Sequence, residues 1–280
     1  MLVTALPGAA FAVRLLRLVA SRAGEPLWYM GAMPRVTKRS RPASPPSRRK
    51  ASAEVVAAAT ESGTYPVLEP KRAVRELRRA DPKLARVIEL AGPCTLEPTA
   101  LSPFRALLRS IVYQQLSGKA AQTILGRVIA LFPHEFPSPE DILAAPEPSL
   151  RGAGLSRNKM LAMQDLARKT LEGVVPDRAA LAKLSDEEII ERCTEVRGVG
   201  RWTVEMMLIF HLGRPDVLPV DDLGVRKGAM RVYGLRKLPE AKRLEKLAQA
   251  WHPWRSVGSW YMWRATELPE DTWRRVPTGE

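Results

Sequence analysis

The stretch Val196-Arg197-Gly198-Val199-Gly200-Arg201-Trp202 constrains the chain more than any other. Upstream of its two glycines, Ser185-Asp186-Glu187-Glu188 has the form of a capping box, and Ile189, Ile190, Cys193 and Val196 follow at helical spacing. Downstream, Val204, Met207, Leu208 and His211 repeat that period. The reading is helix, hairpin, helix. Beyond the second helix, Leu218-Pro219-Val220-Asp221-Asp222 breaks the pattern and delivers two carboxylates where an Asp makes a good N-cap for a helix starting near Leu223.

Glycines in such a hairpin can take positive φ and let an anion approach the backbone, while N–H groups opening the next helix point outward as an anion site. Arg201 adds a positive charge at that mouth. A Gly-x-Gly pair by itself often makes no more than a tight turn, so the flanking helices carry the inference.

Helical patterns recur elsewhere: Ala73 to Arg79, Pro82 to Ala91, Phe104 to Gln115, Lys119 to Leu131, Lys159 to Leu171, Leu223 to Tyr233, Glu240 to Trp251 and Trp254 to Thr266. Short Pro/Gly/Ser breaks separate them, and convincing period-2 runs of β-branched residues are absent. The expected fold class is all-α, with residues 66–270 forming one domain of two closely packed helical lobes. Gly152-Ala153-Gly154-Leu155-Ser156-Arg157-Asn158-Lys159 reads as a turn feeding a further helix, with a part in lobe packing and in basic contacts.

Two cysteines, Cys94 and Cys193, and three histidines, His134, His211 and His252, are scattered and fit no metal-ligand spacing, so no metal is expected. The chain carries 44 Lys+Arg against 30 Asp+Glu, a formal charge of +14. Residues 1–60 hold ten Lys or Arg and two Glu, hence +8, leaving +6 for the remainder. A basic balance favours a phosphate-bearing partner.

Residues 1–65 read as a basic, largely disordered tail: Arg35 to Lys50 is rich in Pro, Ser, Lys and Arg and cannot build a core. Residues 1–22 lack acidic side chains and set Arg14, Arg17 and Arg22 among apolar ones, which suits an organelle-targeting helix. A start at Met33 and a plain basic tail are equal alternatives. The apolar run Ala5 to Val13 is too short to span a bilayer, so no membrane association is expected.

The hairpin followed by Pro219-Val220-Asp221-Asp222 resembles the helix-hairpin-helix DNA glycosylase superfamily. Ser110-Ile111-Val112-Tyr113-Gln114-Gln115-Leu116-Ser117 is similar to the Gln-Gln-Leu-Ser signature of its 3-methyladenine DNA glycosylase II group, and Trp254-Arg255-Ser256 to that group's C-terminal helix. The three motifs stand in order across roughly residues 80 to 265. Cysteines for the iron–sulfur loop of the endonuclease III branch are missing, and the segment 61–95 is too short and too helical for the sheet domain that some relatives carry.

The resemblance implies a monofunctional glycosylase that flips alkylated purines from double-stranded DNA and hydrolyses the N-glycosidic bond. Asp222, twenty positions after Trp202, takes the catalytic place, and Asp221 is expected to cap and orient. Bifunctional members carry a lysine where this chain has Trp202; an indole forms no imine, so water is the expected nucleophile. Trp202, Trp263 and Tyr113 are the expected walls against a flipped, positively charged base, since cations stack well on electron-rich rings. Met206 stands where the bacterial inducible enzyme has a pocket tyrosine, which bears on the base range.

Gln115 takes the position of the side chain that fills the hole in the stack, and Arg197, Gly198, Val199, Gly200 and Arg201 are the expected DNA contacts. No cofactor is expected beyond an optional monovalent cation at the hairpin. The enzyme is expected to be a monomer, in the cytoplasm or nucleoid of a bacterium, or the nucleus or an organelle of a eukaryote. Two other readings compete: a non-catalytic binder of damaged or abasic DNA, and a glycosylase for deaminated or mismatched bases.

Overall fold

The computed structural model describes residues 68–99 and 101–269; the tail and the boundaries expected at 66 and 270 lie outside the described residues. All regular structure within them is helical. In chain order the α-helices are α1 Pro70–Ala80, α2 Pro82–Ala91, α3 Pro103–Tyr113, α4 Gly118–Ile129, α5 Pro139–Ala144, α6 Glu147–Gly152 and α7 Arg157–Leu171. They continue with α8 Arg178–Leu181, α9 Asp186–Cys193, α10 Arg201–Met207, α11 Leu223–Tyr233, α12 Ala241–Leu247 and α13 Arg255–Glu267. A π-helical turn, Leu208–Leu212, extends α10, and a 3₁₀ turn, Ala248–Trp251, extends α12.

Local chemistry sets most of the starts. Ser102, Ser117, Ser156 and Ser185 each accept a backbone N–H from the first turn of the helix that follows. Ser185 and Glu188 form the reciprocal capping box expected from sequence, and Ser138 with Asp141 forms a second one that opens α5. The left-handed glycines Gly213 and Gly234 end the π turn and α11, a conformation that costs glycine little.

The helices sort into two lobes. One packs α3, α4, α5, α6 and α7 with the hairpin helices α9 and α10; the other packs α1 and α2 with α11, the 3₁₀ turn and α13. The tightest pairing is α11 on α13: a Cβ at Gly228 would lie 2.1 Å from the Met262 carbonyl oxygen, so only glycine lets the two backbones meet. One apolar core runs through both lobes, from Leu107, Leu150 and Leu166 in the first to Leu77, Trp251 and Trp263 in the second.

Asp81 ties the start of α2 to the end of α11 and to the 3₁₀ turn within the second lobe. It caps α2 through the N–H groups of Lys83 and Leu84, and its other oxygen accepts from Tyr233 Oη and, at 3.0 Å, from Trp251 Nε1. His211 is buried: burial, then the charges of Arg109 and Arg178, push its imidazole down to about 4, and its Nδ1 bonds to Thr99. Cys94 and Cys193 are free thiols, and among the described residues no cluster of His, Cys, Asp and Glu could hold a metal ion.

Candidate active site

Asp222 sits where the lobes meet, on the loop that leaves α10 and enters α11. It is 5% exposed, and its carboxylate is fully engaged. Oδ2 accepts from Trp202 Nε1 at 2.7 Å; Oδ1 accepts from Trp263 Nε1 at 2.8 Å and from the Val225 N–H at 2.8 Å. Trp202 belongs to the hairpin lobe and Trp263 to the other, so one indole from each lobe fixes one carboxylate.

The division of labour expected between the two aspartates needs correction. Asp222, not Asp221, is the N-cap of α11, because its own side chain reaches the Val225 N–H; Asp221 is exposed. Capping and a buried, oriented carboxylate are thus the same residue.

The loop that presents Asp222 is stapled from α13. Arg255 grips both oxygens of Asp216, with its Nε 2.7 Å from Oδ1 and its Nη2 2.6 Å from Oδ2. Ser256 Oγ donates to the Arg214 carbonyl at 2.6 Å and accepts the Val217 N–H at 3.0 Å. Trp254 Nε1 donates to Glu76 on α1. The Trp-Arg-Ser motif therefore works at a distance, by holding the chain ahead of the aspartate.

The expected aromatic walls differ in access. Trp202 is half-buried and Tyr113 is half-buried with the Arg109 guanidinium over its ring at 5.2 Å. Trp263 is completely buried, stacked on Phe210 at 5.5 Å between centroids, and its N–H serves Asp222. Aromatic surface near the carboxylate is thus open at Trp202 and closed at Trp263. Gly224, which sequence reasoning missed, faces the same indole: a Cβ there would lie 2.7 Å from Trp263 Cδ1 and 3.1 Å from Asp222 Oδ1. A glycine in the first turn of a helix is the signal that was available.

In the hairpin, only Gly198 has positive φ, at 75°; Gly200 is in extended backbone as the N-cap of α10, with open space where a Cβ would go. Conformational need for glycine therefore falls on Gly198, while at Gly200 neither φ nor a neighbouring atom of the chain excludes a side chain. No side chain caps α10, and the first N–H groups of a helix lack intrahelical partners. Val199 is buried, and its N–H donates to the Val196 carbonyl at 3.0 Å, so the DNA contact expected of it is met by neither its side chain nor its N–H. Arg197 is exposed, and its own N–H donates to Asp165 at 2.7 Å. Arg201 pairs with Glu187 and lies 3.7 Å from Glu205, so the positive charge it brings to the mouth is partly neutralised.

Glu205 is the other residue missed. It is 4% exposed on α10, and burial, against the attraction of Arg201 and with the repulsion of Asp221, Asp222 and Glu187, pushes its carboxyl up to about 7. Position five in an apolar helix face gave no periodic signal for it.

Gln115 departs from the expected helix. α3 ends at Tyr113, and Gln115 follows at φ 58°, the one non-glycine residue with positive φ among the described residues. Its side chain is exposed, while Gln114 turns inward and donates from Nε2 to the Gly198 carbonyl at 2.9 Å. The Gln-Gln pair thus bonds to the hairpin with one residue and presents the other to solvent.

A two-lobed helical domain with an uncapped glycine hairpin and an aspartate held at the lobe junction has the helix-hairpin-helix glycosylase architecture. The model of the HhH-GPD superfamily of base excision DNA repair proteins matches residues 108–253. DNA-3-methyladenine glycosylase 1 of Schizosaccharomyces pombe is 37% identical over 171 residues, 61% of this chain and 75% of that protein. The alkylbase DNA glycosidase-like protein mag2 of the same yeast is 33% identical over 201 residues, 71% of this chain and 94% of that one. The solved structure of the S. pombe 3-methyladenine DNA glycosylase Mag1 in complex with abasic DNA superposes with a TM-score of 0.63 at 34% identity, covering 70% of this chain and 97% of that one. The chain belongs to the HhH-GPD superfamily of base excision DNA repair proteins.

Proposed function

We propose that the protein is a monofunctional DNA glycosylase that removes alkylated purines of the 3-methyladenine and 7-methylguanine type from double-stranded DNA and leaves an abasic site. The observation that carries the reading is the buried Asp222 carboxylate clamped by Trp202, Trp263 and the Val225 N–H. As the base departs, the sugar develops oxocarbenium character, and a preorganised carboxylate stabilises that charge without reorganising during the reaction. The same group can orient the attacking water. A binder of damaged DNA gains nothing from a desolvated carboxylate in a phosphate-rich groove, where it repels its ligand. The similarity to yeast enzymes named for 3-methyladenine supports the substrate class.

Around that chemistry, Trp202 and Tyr113 offer aromatic surface to a flipped cationic base, and Trp263 backs the carboxylate. The backbone at Gly198 and Gly200, with Arg197 and Arg201, faces the DNA backbone, Val199 anchors the hairpin from the core side, and Gln115 fills the vacated stack. Trp202 occupies the place of a lyase lysine, so hydrolysis proceeds without a Schiff base.

Incubation with methylated duplex DNA, followed by mass spectrometry of the released bases, tests the reading. Asp222→Asn keeps the size and removes the charge, and should slow excision about 10²-fold or more while abasic-DNA binding persists. Asp221→Asn should excise near the wild-type rate. Borohydride added during turnover should trap no enzyme–DNA adduct; a trapped adduct would assign lyase chemistry to another amine, with Lys227 the first to test. Normal excision by Asp222→Asn defeats the assignment of Asp222 as the catalytic carboxylate, and a wild-type chain that releases no base defeats the enzymatic reading.

A further inference from the structure

The strained conformation of Gln115 needs a cause in the surrounding structure, since a left-handed residue without glycine's freedom persists only where its neighbours hold it. The neighbours on either side are accounted for by three bonds. Gln114 donates to the Gly198 carbonyl at 2.9 Å, and the Leu116 N–H closes a turn onto the Tyr113 carbonyl at 3.3 Å. The third comes from another helix. Lys159, in the first turn of α7, donates its Nζ to the Val112 carbonyl at 2.6 Å.

That carbonyl lies in the last turn of α3, where a helix that stops leaves oxygens without intrahelical partners. Continuing α3 would satisfy Val112 through the N–H of residue 116, but Leu116 is bonded to Tyr113 instead. An ammonium group placed there supplies the missing donor and meets the negative end of the helix dipole. Lys159 is half-buried, and burial pushes it down to about 8, a cost a solvated surface lysine does not bear. Two turns along the same helix, Asp165 accepts the Arg197 N–H of the hairpin at 2.7 Å, and Lys169 donates to the Glu195 carbonyl. One helix therefore grips both the Gln115 turn and the hairpin.

We propose that Lys159 is a positioning residue for Gln115: it terminates α3 at Tyr113 so that Gln115 projects as the stack-filling side chain, at a distance from the hairpin set by α7. The proposal rests on the reading of Gln115 as the wedge of a glycosylase. It separates extrusion from chemistry. A wedge matters when a lesion is stacked and paired, and matters little when the damaged base is already unpaired.

The experiment compares single-turnover excision of 7-methylguanine from two duplexes, one with the lesion paired to cytosine and one with it in a single-nucleotide bulge. The wild type, Lys159→Met, Lys159→Arg, Gln115→Ala and the Lys159→Met/Gln115→Ala double variant are measured side by side. Lys159→Met keeps most of the stem and removes the donor; losing one charge-assisted hydrogen bond should slow excision of the paired lesion about tenfold. Excision from the bulge should change less than about threefold, Lys159→Arg should recover most of the loss, and the double variant should be no slower than Gln115→Ala alone.

Equal losses on both duplexes, multiplicative losses in the double variant, or full activity of Lys159→Met on the paired lesion would each overturn the positioning role. Gln115→Ala that excises the paired lesion at the wild-type rate removes the wedge reading and the Lys159 proposal with it. A wild-type chain that releases no base defeats the glycosylase reading first.

Discussion

At the scale of single residues, the site works by spending two tryptophan N–H groups and one backbone N–H on one carboxylate. Each bond restricts Asp222 to one rotamer, so the geometry is set before DNA arrives. Gly224 is part of that constraint, because Trp263 is packed between it and Phe210 and cannot swing away. Gly224→Ala should push the indole and the carboxylate apart and lower the single-turnover excision rate roughly tenfold. Binding to abasic-site DNA should change little, since no proposed DNA contact is altered. Trp202→Phe separates the two roles of that residue. It keeps an aromatic face for stacking and removes the donor to Asp222, so the excision rate should fall several-fold to about tenfold with a nearly unchanged apparent KM.

Among the elements, α10 combines incompatible demands. Its first turn faces the hairpin, Trp202 reaches Asp222, and Glu205 is buried between Arg201 and the carboxylates that follow. The Glu205 carboxyl lies at about 7 in the folded chain, above its ordinary value of 4.5. The folded state therefore holds the proton more tightly than the unfolded state. Its contribution to stability is complete below about pH 4.5 and is lost as pH rises through about 7, amounting to on the order of 3 kcal/mol. Glu205→Gln retains the shape and abolishes that loss. Thermal melts between about pH 5 and pH 9 should show the variant gaining on the wild type as pH increases, and parallel curves would remove Glu205 as the source.

The elements are unevenly legible in the sequence, for physical reasons. Helix α11 was expected and found at Leu223–Tyr233, where a proline break, an aspartate cap and a terminal glycine coincide. The short helices α5, α6 and α8 were not expected, since six, six and four residues are too few to display a period. Periodicity also carried α3 through to Gln115, whereas the structure stops it at Tyr113. That stop depends on Lys159 and Gly198, which are remote in sequence.

For the whole molecule, charge and site are distributed differently. Residues 1–60 carry +8 of the +14, and every proposed catalytic and DNA-contact residue lies between Tyr113 and Trp263. Deleting residues 1–60 should weaken binding to abasic-site DNA and flatten its dependence on salt, because a sequence-independent electrostatic contribution is removed. Single-turnover excision on saturated DNA should stay close to the wild-type rate. If excision at saturation disappears with the deletion, the tail belongs to the catalytic fold.

The amino-acid sequence determined by itself what depends on near neighbours: the all-α class, the caps, the hairpin between two helices, and the arrival of an aspartate after Pro219. It also excluded a lysine from the place Trp202 occupies. Tertiary structure decided what depends on residues far apart in the chain. It chose Asp222 over Asp221 as the cap, because only the former meets Val225, Trp202 and Trp263 together. It closed Trp263 to solvent and left Trp202 partly open, a difference that identical side chains cannot announce. It set Gln115 in a left-handed turn whose flanks are held by one donor from α7, at Val112, and one acceptor in the hairpin, at Gln114. Local propensity acts over a few residues, whereas burial and hydrogen-bond partners at the site are assigned only when both lobes pack around the loop that carries Asp222.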